Sequence, residues 1–250
     1  MLDAFTAALS LDGLWLIAIG AALAGLVRGF SGFGTNVVFL PFAAQVLDPV
    51  YVLIAVLVMD VFGPIPAVPR ALRDGKPSEV GQMCIGAVFG GLAGVFVLTM
   101  LSQDVFRYAV SASGFALLLF VASGVRYRGV VTAPITVGVG GVAGFLGGSI
   151  AAPGPAAIFF YMARPIPVAM IRANLLLFLL AFDLILIAIF WVRGLFALEP
   201  LAVGLLALPI YLSALLIGTR IFDPERERLY RMVAYAIIAG SALNGLPIWD

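Results

Sequence analysis

The chain has no histidine and only one cysteine, Cys84, in 250 residues. The first absence removes imidazole general bases, histidine-ligated metals and histidine proton relays together. The second removes an internal disulfide and any thiolate metal site. Charge is scarce too: 14 Lys and Arg against 13 Asp and Glu make 11% of the chain, where a soluble domain carries about 25%. With 63% of residues hydrophobic, there is too little polar surface to cover a water-facing globule. Nor is there a basic excess to neutralise phosphates, so nucleic-acid binding has no support.

What is present is apolar sequence in long runs. Charge-free stretches occupy 13–27, 29–47, 80–103, 108–125, 129–163, 200–219 and 232–249. Two more, near 50–69 and 168–192, enclose Asp60 and Asp183. A membrane helix needs about 20 mostly apolar residues, so a polytopic, all-α integral membrane protein is expected. Continuous runs such as Leu175–Leu180 exclude the alternation of a β-barrel. Asp3 and Asp12 flank the first run where a secretory signal would carry positive charge, so no signal peptide is expected.

Glycine and proline divide these runs. Stretch 13–47 is interrupted at Arg-Gly-Phe-Ser-Gly-Phe-Gly-Thr (28–35), and stretch 129–163 at Gly-Gly-Ser-Ile-Ala-Ala-Pro-Gly-Pro (147–155). Each break leaves pieces of about 12–17 residues, roughly 18–25 Å of helix, short of the roughly 30 Å hydrocarbon core. The rest reads as six full helices near 50–69, 79–101, 105–125, 168–192, 198–218 and 229–246. The chain therefore reads as two repeats. Residues 1–125 hold a broken pair at 13–47 and three helices; residues 126–250 hold a broken pair at 130–163 and three more. Gly25, Gly29, Phe30 and Gly32 match Gly140, Gly144, Phe145 and Gly147 in order.

The positive-inside rule discriminates between two topologies. If each broken pair enters and returns, Arg70, Arg73, Lys76, Arg126, Arg128, Arg164, Arg172, Arg220, Arg226, Arg228 and Arg231 share one side, eleven against Arg107 and Arg193. If each pair crosses once, the same residues divide six against seven. The re-entrant hairpin is the better account. Three crossings per half then invert the second repeat relative to the first, an architecture common in secondary transporters, with both termini non-cytoplasmic.

Irregular backbone at membrane depth is tolerated only where it is buried in protein or lines a wet cavity. Opposed hairpins are expected to bring their breaks together near the midplane. Thr35 and Asn36 are expected to cap one helix start, and Pro155 to open the other. Such starts present N–H groups and a partial positive charge, which suits an anion. The expected substrate contacts are Arg28, Ser31, Gly32, Gly34, Thr35, Asn36, Gly148, Ser149 and Gly154, with Arg172 as a further anion contact. Arg28 is also readable as a helix cap, and Arg172 as a cytoplasmic anchor. Asp60 and Asp183, inside apolar helices, are candidates for proton or cation coupling or for structural pairing with an arginine. No metal, cofactor or catalytic cluster is expected. A lipid-phosphate flippase or another anion channel or permease is the alternative.

The segments Gly25-Leu-Val-Arg-Gly-Phe-Ser-Gly-Phe-Gly-Thr-Asn-Val-Val-Phe-Leu-Pro41 and Gly141-Val-Ala-Gly-Phe-Leu-Gly-Gly-Ser-Ile-Ala-Ala-Pro-Gly-Pro155, each opening a half with three following helices, resemble the sulfite exporter TauE/SafE family of membrane permeases. The resemblance implies transport of a small sulfur-containing anion such as sulfite, thiosulfate or an organosulfonate across the bacterial inner membrane. The chain departs from the family's usual Gly-Gly-Gly core, carrying Gly34-Thr-Asn and Ala151-Ala-Pro-Gly instead.

Overall fold

A computed structural model describes residues 2–31, 34–123, 131–221 and 227–248. Gly32, the half boundary at 125–126 and most of the charged run at 223–228 lie outside the described residues. Within them every regular element is helical: α1 (Leu2–Leu9), α2 (Leu14–Ser31), α3 (Thr35–Ala43), α4 (Pro49–Phe62), α5 (Val68–Asp74), α6 (Pro77–Leu98), α7 (Gln103–Ser123), α8 (Ala133–Ile150), α9 (Gly154–Met162), α10 (Val168–Val192), α11 (Leu198–Ile221) and α12 (Glu227–Asn244). Five spans among the described residues are long and apolar enough to cross a membrane: Pro49–Asp74, α6, α8, α10 and α11. The first is not one smooth helix. Gly63-Pro64-Ile65-Pro66 removes two amide donors, so α4 stops at Phe62 and a 3₁₀ turn leads into α5. α1 meets α2 at 87°, with Gly13 at φ 91 in the turn.

The helices pack as two compact units that interleave the sequence. One comprises residues 1–59, 101–118 and 196–250; the other comprises 60–100 and 119–195. In the first, α2 lies along α11 through small residues. A Cβ built on Gly29 would stand 2.8 Å from the Gly218 Cα, and one on Gly25 would run into the Tyr211 carbonyl. Carbonyls left over at helix ends are closed by side chains. Gln103 Nε2 donates to Ala44 O at 3.0 Å, and buried Arg107 donates through Nε to Gly245 O at 3.1 Å, just past α12.

In the second unit α6 and α8 touch backbone to backbone. Glycines recur every fourth residue on both, at 86, 90 and 94 and at 140, 144 and 148. This spacing keeps them on one helix face. Small residues here let the helices approach closely, and van der Waals contact then does the work that hydrophobic burial does in water. Phe178, Phe182 and Phe190 of α10 fill the remaining core.

α8 ends at Ala151, the one described non-glycine residue with positive φ, at 49. The left-handed turn lets Ala152 N–H reach back to Leu146 O at 3.2 Å, which closes the helix end. Alanine pays a steric cost there that glycine avoids. Ala151→Gly is expected to stabilise the protein by about 1 kcal/mol, seen as a raised midpoint in a detergent thermal melt. An unchanged or lowered midpoint would refute the strained turn.

Candidate functional site

The first break is built from α2, α3 and α11. α2 ends at Ser31 and α3 begins at Thr35, with Gly34 between them at φ 102. That value favours glycine, and no side chain caps this start. The expectation that Thr35 and Asn36 cap α3 is therefore corrected. Both lie inside its first turn, and the Thr35 hydroxyl turns elsewhere. Arg28 Nη1 donates to Thr35 Oγ1 at 2.8 Å, and Thr35 Oγ1 also lies 3.1 Å from the Tyr211 hydroxyl. Thr35 and Tyr211 are buried, while Arg28, Gly34 and Asn36 are half-buried. Gly25 makes this possible, since its missing side chain admits α11 at the turn that carries Tyr211.

Tyr211 was not among the expected contacts. Its only sequence signal is a phenol two residues after Pro209 in the charge-free middle of α11. The arrangement gathers a guanidinium, a hydroxyl and a phenol at the positive end of a helix. Arginine presents five donors in a planar fork; one of the two hydroxyl protons is held in the Thr35–Tyr211 bond, which leaves the other to donate to an oxyanion.

The second break, in the other unit, is assembled differently. Gly148 faces α6, where a Cβ would come within 2.6 Å of Gly91 O, and a Cβ on Gly147 would strike the Phe182 ring. Two neighbouring glycines thus clamp the end of α8 against α6 and α10. The buried Ser149 hydroxyl donates to Phe145 O at 2.7 Å within its own helix. Gly154 is the first residue of α9, and Pro155 follows in the first turn. Asp60 and Asp183 are buried, at 7% and 6% exposure, whereas Arg172 is exposed. Of the expected contacts, the structure joins Arg28 to Thr35 by a hydrogen bond; Ser31 ends α2, and Gly32 lies outside the described residues.

A family model described as Sulfite exporter TauE/SafE matches residues 17–245. The chain belongs to that family. The match spans both breaks and nearly every helix, so the TauE/SafE assignment does not rest on one motif. TauE/SafE proteins are membrane transporters of sulfur anions such as sulfite, and this chain is an integral membrane protein of that kind. No curated protein and no solved structure matches it.

Proposed function

We propose that this TauE/SafE protein carries a small sulfur oxyanion, namely sulfite, thiosulfate or an organosulfonate, across the bacterial inner membrane, and that Arg28 at the first break is its principal contact. The observation that carries the proposal is the 2.8 Å bond from Arg28 to Thr35, which holds a guanidinium at the start of α3. Anions are favoured at helix N-termini, and a planar fork matches paired oxygens. Gly34, Asn36 and Tyr211 complete this part of the site. Gly148, Ser149 and Gly154 are assigned to the second break.

The same reading takes the two halves as an inverted repeat. Helix starts recur 119 positions apart, at 14 and 133, 35 and 154, and 49 and 168, and α2 and α3 equal α8 and α9 in length. Packing exchanges partners between halves in a corresponding way: α2 of the first half lies on α11 of the second, and α8 of the second lies on α6 of the first. Re-entrant broken pairs then put eleven of the thirteen basic residues other than Arg28 on the cytoplasmic side. In a Cys84-free background, cysteines replacing Lys76, Arg126 and Arg226 are expected to resist an impermeant thiol reagent outside intact cells. Cysteines replacing Asp3 and Asp250 are expected to react. Reversal at any one loop would break the topology.

The transport reading is tested in proteoliposomes. Saturable, protein-dependent uptake of labelled sulfite, thiosulfate or a short alkanesulfonate supports it. Lipid scrambling without uptake of any of these anions would replace it with a flippase.

A further inference from the structure

A polar stripe runs along α7 in the unit formed by 1–59, 101–118 and 196–250. Gln103, Arg107 and Ser111 stand four residues apart, which puts them on one helix face. Gln103 and Arg107 each hold a carbonyl, of Ala44 and of Gly245. Ser111, a turn further on, holds none: its hydroxyl is wholly buried and without a partner. Gly245 fixes where that hydroxyl lies. A Cβ built on Gly245 would stand 3.1 Å from Ser111 Oγ and 2.6 Å from Pro41 Cβ. Arg107 and Ser111 therefore converge on one residue just past α12, against α3. Ser241 lies four residues before Gly245, on the same face of α12. Its carbonyl accepts the Gly245 N–H at 3.0 Å, and its hydroxyl is also buried without a partner. The three helices stay in contact toward the first break: a Cβ on Gly114 would stand 3.3 Å from Val37 Cγ1 and 3.4 Å from Ala242 Cβ. From Pro41 to Thr35 is about 9 Å along α3.

Buried polar atoms are nearly always paired. In the other unit the protein supplies the match itself: Glu79 of α6 accepts both arms of Arg164, Nη1 to Oε1 at 2.6 Å and Nη2 to Oε2 at 3.3 Å, and that pair is closed. Two orphaned hydroxyls within a turn of the residue that a buried arginine holds point instead to a ligand. The guanidinium charge repels a cation, and the Gly245 carbonyl already accepts from Arg107. What the cluster offers is positive charge and two O–H donors, which suits an oxyanion. We propose that Arg107, Ser111 and Ser241 form an outer station for the transported anion, between the first break and the non-cytoplasmic face. Arg107 is one of the two basic residues on that side in the re-entrant reading. At Gly245 the chain presses on Pro41, so the station is shut in this arrangement. Moving α12 off α3 admits the anion, and the two hydroxyls gain the acceptor they lack.

This inference rests on the reading of the chain as an anion carrier. Titration calorimetry of the purified protein with methanesulfonate tests it. Arg28→Ala, which disables the first break, should retain a weaker binding component; Arg28→Gln, which keeps a donor for Thr35, is the second background should the first not fold. Adding Ser111→Ala and Ser241→Ala together removes only unpartnered oxygens. That should weaken the retained component about tenfold while the melting midpoint in detergent stays level or rises. The same two substitutions in the parent should leave the first-break component in place. Retained binding that is indifferent to both hydroxyls would mean that they meet water alone, and would overturn the outer station. Loss of all binding with Arg28 would overturn it too. So would a lowered midpoint in the serine variant, which would show that the hydroxyls serve the fold. Absence of methanesulfonate, sulfite and thiosulfate binding to the parent would overturn the carrier reading itself.

Discussion

Gly90→Leu is expected to leave no monodisperse folded protein on size-exclusion chromatography in detergent. A Cβ at position 90 would overlap the Gly141 carbonyl oxygen and stand 2.8 Å from Phe145 N. Both obstacles are main chain, which cannot rotate aside as a side chain can. Even Gly90→Ala must push the helices apart, at about 2 kcal/mol by analogy with overpacked cores. Leucine adds three more carbons at the same point and separates α6 from α8 over at least a turn. The helices themselves supply the control. Gly81 on α6 and Gly138 on α8 have nothing within 4 Å of a built Cβ. Gly81→Leu and Gly138→Leu should stay within about 0.5 kcal/mol of the parent. A Gly90→Leu protein with the parent's melting midpoint would show that the two backbones do not touch there.

Arg28→Ala should weaken binding at the first break by tenfold to a hundredfold. A hydrogen bond to a charged group contributes about 1.5–3 kcal/mol, and the substitution removes both the guanidinium and its hold on Thr35. Arg28→Lys keeps the charge but presents an ammonium in place of the planar fork, so it should recover only part of the loss. Thr35→Val removes the hydroxyl that bonds Nη1 while leaving the arginine in place, and should cost less than Arg28→Ala, about 1 kcal/mol. Isothermal titration with whichever sulfur anion binds best reads all three. A folded Arg28→Ala protein that binds at the first break like the parent would make Arg28 a helix cap and leave that break to backbone donors.

The helical class and the places where helices stop were legible because glycine and proline mark them. α2 ends at Ser31 and α8 at Ile150, inside the segments the composition singled out. The Gly63-Pro64 interruption was equally visible in letters, yet its apolar neighbours let 50–69 read as one helix. The register between the halves was harder. Matching Gly25 and Gly29 to Gly140 and Gly144 gives an offset of 115, whereas the helix starts recur at 119. Glycines four apart match equally well after a slip of one turn, since Gly25 and Gly29 then meet Gly144 and Gly148. Composition could not resolve that slip; the proposed repeat takes its register from the helix starts. Partners distant in sequence were illegible. Tyr211 is 176 positions from Thr35, and in an apolar helix a tyrosine reads as one more large residue. Glu79 and Arg164 are 85 apart, and a count of loop charges treats that arginine as an anchor alone.

The interleaving of the two packing units has a consequence for synthesis. Gly86 on α6 faces Val137 on α8, about fifty residues downstream, but Gly25 on α2 faces Tyr211 on α11. At translation rates of about 5–20 residues per second, α2 waits roughly 10–40 s for its partner to emerge. For that interval its glycine face has only lipid, the insertion machinery or a wrong helix to rest against. The unit around α6 and α8 can assemble before α11 is made, whereas the unit holding Arg28 closes only when α11 arrives. Truncation or slow elongation before α11 should therefore strand the first break in an unassembled state and expose it to membrane quality control.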